Sequence, residues 1–326
     1  MALRHISVCV VLCFALSASA TCAQTKLPAE TRNAALRYWM AFAQLQDAGA
    51  DKSAADLIEK TLAGDAPWNE ARLGPLIDEN IEALEIMQRA SKLPDCDWGL
   101  EYSLGPRTPI LFVKNSARAL ARLDTLYGMR LAAKGDTQKA VDAWLVGIQF
   151  SRHLAQGQSL FGTLVASGTL HTNLHVLTQV AERGSLSAAQ KNQISASIRS
   201  LSETGFDWAQ AMRFEESALQ ITVQDMRKAP SPAAYYQEVM GTPAPANFTV
   251  PSVSDMASFH QLMSALEAAL RLPPGQARDK LQGLQDSTKT LHPFFQAAIP
   301  NFTAINDARA SIQSSRQLLL QALSAN

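Results

Sequence analysis

Almost nothing in this chain alternates with a period of two, and apolar residues recur again and again at steps of three and four. A strand turns successive side chains to opposite faces, whereas a helix returns to one face every three or four residues. Between Asn69 and Ser91 the apolar positions Leu73, Leu76, Ile77, Ile81, Leu84 and Met87 make one such stripe. Ile305, Ala308, Ile312, Leu319 and Leu323 make another, as do Leu36, Trp39, Met40 and Ala43. The periodicity predicts an all-α fold, with helices near 30–46, 51–63, 69–92, 113–134, 136–156, 158–183, 187–203, 205–228, 253–271, 276–291 and 301–324.

The punctuation between these spans agrees. Gly135-Asp136 closes one helix and opens the next, because glycine tolerates a left-handed stop and aspartate accepts from free amides at a helix start. Ser187-Ala-Ala-Gln190 has the form of a capping box, and Ser231-Pro232 that of a cap followed by a first-turn proline. Two stretches read as loops: 93–109, and the proline-rich 229–251, which is the best candidate for a hinge. Helical pattern resumes on both sides of 229–251 without a change of composition, so 21–326 is expected to be a single helical domain.

One hairpin is especially legible. Gly128, Ala140, Trp144 and Gly147 fall at the spacings of a tetratricopeptide (TPR) repeat, in which small residues sit where two helices cross and an aromatic fills the gap. Arg152 stands where that repeat usually has proline. The expected architecture is therefore antiparallel hairpins stacked as an irregular TPR-like α-solenoid, with divergent neighbours around this copy.

The amino terminus has a different character. Arg4-His5, the apolar run from Ile6 to Leu16 and the small residues Ala18-Ser19-Ala20 form a secretory signal peptide over 1–20. Cleavage before Thr21 fits the pattern, and Thr21-Cys22-Ala23 offers a second site, with cleavage after residue 23. The expectation is export to the periplasm or the extracellular space, with no transmembrane segment in the mature chain. With 29 basic and 29 acidic side chains, the chain has no electrostatic reason to bind nucleic acid. Cys9 and Cys13 leave with the leader, so one Cys22–Cys96 bridge, or an unpaired Cys96, exhausts the options.

Chemistry-bearing patterns are sparse. His171-Thr-Asn-Leu-His175 puts two imidazoles at i and i+4, a spacing that zinc sites use. Glu215 and Glu216 are the carboxylates considered as a third ligand. Zinc needs at least three protein ligands, so the expectation is two ordinary helix histidines, one half-buried and one solvated, with no metal and no cofactor. Asp95-Cys96-Asp97-Trp98-Gly99 places a thiol between two carboxylates, which raises its pKa and argues against a nucleophile. Trp98 is expected to anchor that loop onto the helices. Lys114, Arg118 and Arg122 form a basic stripe suited to carboxylates or phosphates, or to pairing with neighbours such as Asp124 and Glu101. No serine elbow, P-loop or dinucleotide fingerprint occurs, and the sequons at Asn247 and Asn301 are read as incidental.

Asn33-Ala-Ala-Leu-Arg-Tyr38-Trp39-Met-Ala-Phe42, Cys96-Asp97-Trp98-Gly99-Leu100, Ala117-Arg118-Ala-Leu-Ala-Arg122, Ala133-Lys-Gly135-Asp136 and Arg152-His153-Leu154 together resemble a group of uncharacterised exported bacterial helical proteins. The closing segment, from Pro293 through Arg309 to Leu320, is also similar. The resemblance implies a helical fold and export, and brings no catalytic residues with it. The reading that follows is a non-catalytic scaffold or module binding proteins or peptides. The alternatives are a secreted hydrolase using the His171/His175 face with a carboxylate, and a structural component of the cell envelope.

Overall fold

A computed structural model describes residues 31–46, 52–107, 115–157 and 159–325, and in it the predicted caps are formed. Asp136 accepts from the Lys139 amide, and Gly135 before it turns at φ +84°. Ser187 and Gln190 satisfy each other's backbone amides as a capping box. The helices are α1 (Ala34–Gln44), α2 (Lys52–Ala63), α3 (Glu70–Glu79), α4 (Ile81–Ser91), α5 (Ser116–Ala133), α6 (Thr137–Ala155) and α7 (Leu160–Glu182). After these come α8 (Ala188–Arg199), α9 (Trp208–Lys228), α10 (Pro232–Met240), α11 (Val253–Leu270), α12 (Pro274–Ser287), α13 (Pro293–Ala298) and α14 (Phe302–Ser324). The described residues contain isolated bridges but no strand, so the protein is all-α. None of the described helices is long and apolar enough to cross a membrane. The signal peptide, Cys22 and Lys114 lie outside the described residues.

Three sequence expectations are corrected. The helix expected over 69–92 breaks at Asn80, whose amide group donates to the Leu76 carbonyl and whose oxygen accepts from the Gln46 amide. A side chain that back-bonds to the carbonyl four residues earlier and also reaches another segment competes with the regular helix at that point. The proline-rich 229–251 is not one loop. Ser231 caps α10, Pro232 occupies its first turn, and Gly241 ends it at φ +69°. Ser231-Pro232 was thus a true helix start inside a stretch whose proline count suggested loop. In α1 the apolar stripe Leu36, Trp39, Met40 faces solvent, and the buried face is Ala34, Ala35, Tyr38 and Ala41. Small alanines let α1 pack closely against α4, a preference that counting large apolar residues misses.

The core is continuous from Ala34 to Leu323. The α5–α6 hairpin turns over Lys134–Asp136, and α6 then packs on α7. Trp144 of α6 is fully buried across Gly128 of α5, and its indole N–H donates to the Thr125 carbonyl (3.1 Å). The chain then departs from nearest-neighbour stacking, because the last helix, α14, returns to pack along α7. Residues Arg32–Asn326 form one compact unit.

Candidate functional site

The described part of the 93–109 stretch, 93–107, is anchored by an aromatic knot. The Trp98 indole donates to the His153 carbonyl (2.8 Å), stacks on Tyr38 and Phe42, and is almost wholly buried. Tyr38 and His153 Nδ1 share a 2.8 Å hydrogen bond. Burial lowers His153 to about 4, with the Arg152 charge adding, so its ring is neutral near pH 7. Burial also pushes the Cys96 thiol up to about 12, with Asp97 adding and the Ala35 amide opposing. The expected direction is found, but desolvation leads rather than the flanking carboxylates. Asp95 faces away, paired with Arg32. Cys96 and His153 both lie beside Tyr38, the thiol held in its protonated form and the imidazole neutral.

The histidine pair on α7 is divided between neighbours. His171 Nδ1 lies 3.0 Å from Ser315 and 3.2 Å from Ser311, both on α14. His175 Nε2 donates to the Ala63 carbonyl at the end of α2 (3.1 Å). Both rings reach solvent, but α14 packs against His171, and burial, with the His175 charge adding, lowers its pKa. Neither carboxylate joins them. Glu215 accepts from the Leu160 amide at the start of α7, and burial raises its pKa. Glu216 is buried against His260 Nδ1 at 2.5 Å. Among the described residues no three His, Cys, Asp or Glu side chains gather as metal ligands. Asn301 likewise has a local role, accepting from the Ala304 amide to cap α14.

Sequence reasoning missed a buried polar seam at the crossing of α5, α6 and α7. Asp124, read as a surface partner for the basic stripe, is fully buried, and neither carboxyl oxygen has a well-formed hydrogen bond among the described residues. Burial raises its pKa well above the ordinary carboxylate range, opposed by the Gly147 amide. Asn173 and Thr125 lie alongside, with Thr125 Oγ1 3.4 Å from Asn173 Oδ1. In the unfolded chain Asp124 titrates near 3.9. Stability is therefore lost as pH rises above that value and until the folded pKa is passed. Asp124→Asn should match the parent in thermal unfolding below about pH 4 and gain about 1.4 kcal/mol on it per pH unit above. A difference in melting temperature that stays constant from pH 3 to 8 would contradict this.

Beside the seam, α5 and α7 enclose a cleft of about 270 Å³. Arg118 and Arg122 stand at its mouth, and Ala121, Leu164 and Val165 supply apolar wall. Thr125, Thr169 and Thr172 supply hydroxyls that donate to the carbonyls four residues earlier, which leaves oxygen lone pairs for a guest. Arg122 pairs with Glu59 of α2 (2.6 Å), rather than with Asp124 as expected. Arg118 has no ion pair or hydrogen bond among the described residues, and the one carboxylate at the cleft's edge, Glu59, is engaged by Arg122. A second cleft, of about 520 Å³, lies farther along the same two helices and is lined by Trp68, Met129, Val176 and Arg183. Glu59 of α2 reaches Arg122 at the first, and Gly64, just past the end of α2, lines the second.

Gly168 lines the first cleft, and a β-carbon added there would meet nothing within 4 Å. Gly168→Ala should stabilise the fold by about 1 kcal/mol, because alanine costs less backbone entropy in a helix. Urea denaturation would register this as a higher midpoint with an unchanged slope. A lower midpoint would show that the helix needs glycine there.

The chain matches no family model, no curated protein and no solved structure.

Proposed function

We propose that this protein is an exported, non-catalytic helical module that binds protein or peptide ligands, built as an irregular TPR-like array. The observation that carries the reading is the α5–α7 cleft, a preformed concavity beside a hairpin with TPR spacing. Stacked helix pairs present such concave surfaces, and a binding cleft that is mainly preformed loses little entropy on engagement. The neutral overall charge makes the basic cleft mouth stand out locally. Export rests on Arg4-His5, the Ile6–Leu16 run and Ala18-Ser19-Ala20.

A random peptide library displayed against the full chain, with Gly168→Leu as the blocked control, tests the binding reading. Peptides recovered on the parent and lost on the variant are expected. Recovery of none, or of peptides indifferent to the block, would count against it. Sequencing the amino terminus of protein from the exported fraction should begin at Thr21 or Gln24. An intact leader on cytoplasmic protein would remove the export reading.

A further inference from the structure

We infer that the α5–α7 cleft is a site for a carboxylate carrying a short apolar side chain, presented either by the free end of a polypeptide or by a small acid. The inference rests on the binding-module reading and specifies what the cleft would take.

Charge comes first. Glu59 compensates Arg122 and leaves Arg118 as the unmatched cation of the described cleft. One uncompensated guanidinium favours a monoanion, and its planar fork matches a carboxylate with two parallel hydrogen bonds. Arg122, held at the same mouth by Glu59, supplies a second set of donors.

Polarity comes next. The Thr125 and Thr169 hydroxyls are buried, and their protons are committed to backbone carbonyls. Their oxygens can accept but not donate. They therefore suit an amide N–H next to the carboxylate and do not compete with the arginine for the anion. Leu164 and Val165 then line a place for an aliphatic side chain.

At about 270 Å³ the cleft is slightly below the range of sites for drug-sized ligands. Glu59 of α2 pairs with Arg122 at its edge. A carboxylate beside an aliphatic side chain and an amide N–H occurs at the free end of a polypeptide or in a small acid, and the volume suits a group of that size.

The test uses the full chain and fluorescent octapeptide pools ending in leucine, as the free acid and as the carboxamide, with N-acetyl-leucine as a competitor. The free-acid pool should bind at least about tenfold more tightly than the amide, the effect of a charge-assisted contact. Arg118→Gln, at an exposed position, should erase that difference, and Gly168→Leu, which fills open space, should abolish binding. Competition by N-acetyl-leucine at low millimolar concentration supports the carboxylate site. Binding of N-acetyl-leucine without either peptide pool keeps the carboxylate site and assigns it to a small acid. Equal affinity for acid and amide, unchanged in Arg118→Gln, overturns the carboxylate inference while the module still binds peptides. No binding by any probe overturns the inference, and an empty display selection as well would overturn the module reading.

Discussion

Replacing Gly128 with alanine should lower the stability of this protein by about 1–3 kcal/mol, the range for overpacking a close-packed core. A β-carbon at Gly128 would stand 2.7 Å from Cδ1 and Cε2 of Trp144, and in contact with its Nε1. Trp144 cannot step aside, because it is fully buried and its indole is tied to the Thr125 carbonyl. Gly147→Ala should behave alike, since its β-carbon would lie 2.7 Å from Asn173 Nδ2 and 2.8 Å from Asp124 Oδ2. Intrinsic helix propensity predicts the opposite sign, because alanine is the better helix former. Urea midpoints of Gly128→Ala and Gly147→Ala below the parent, with Gly168→Ala above it, would show packing overriding propensity at the first two sites. Midpoints that all rise would mean that the α5–α6–α7 crossing is looser than described.

Arg309→Ala should cost about 3 kcal/mol or more, because it leaves three acceptors unpaired at about 1–3 kcal/mol for each buried one. Arg309 is almost wholly buried on α14 and meets no carboxylate among its partners. It donates instead to the carbonyls of Leu270 and Leu272 at 2.7 and 2.6 Å, and to Asn306 Oδ1 at 2.9 Å. Those carbonyls end α11, where free acceptors and the helix dipole favour a cation. Burial lowers the guanidinium to about 10, which leaves it protonated at neutral pH. Asn306 in turn donates to the Pro274 carbonyl at the start of α12. Truncation would orphan three acceptors and leave a void. Arg309→Lys should recover only a fraction of the loss, because a single ammonium cannot reproduce the fork. A thermal midpoint of Arg309→Ala within error of the parent would refute this account.

Local structure was well written in the residues. Caps such as Asp136 and Ser187 act within four residues, so their chemistry is complete in a short window. The Gly128–Trp144 crossing was legible for a related reason, since a short turn brings its partners together. What escaped depended on partners far along the chain. Asp124 and Arg309 look like surface charges until α6, α7 and α11 are placed against them. The outward stripe on α1 was misleading because burial follows the neighbour's shape, not only side-chain size. The cleft shares this property. Arg118 and Arg122 were visible as a stripe, but Thr169 and Thr172 join them only because α7 packs beside α5. His171 and His175 show the converse: correct spacing on one helix, and no third ligand brought to them.

The return of α14 onto α7 bears on how the chain reaches this state. Residues 171 and 315 meet across 144 positions, so one side of α7 stays uncovered until the last helix has been synthesised. Contacts that close such long loops form late and slow the approach to the native state. A chain cut short before Phe302 would present that apolar strip to solvent and to other copies of itself. An open repeat array can lose a terminal unit and keep the rest, whereas here the final helix acts as a clasp whose loss is felt 140 residues upstream.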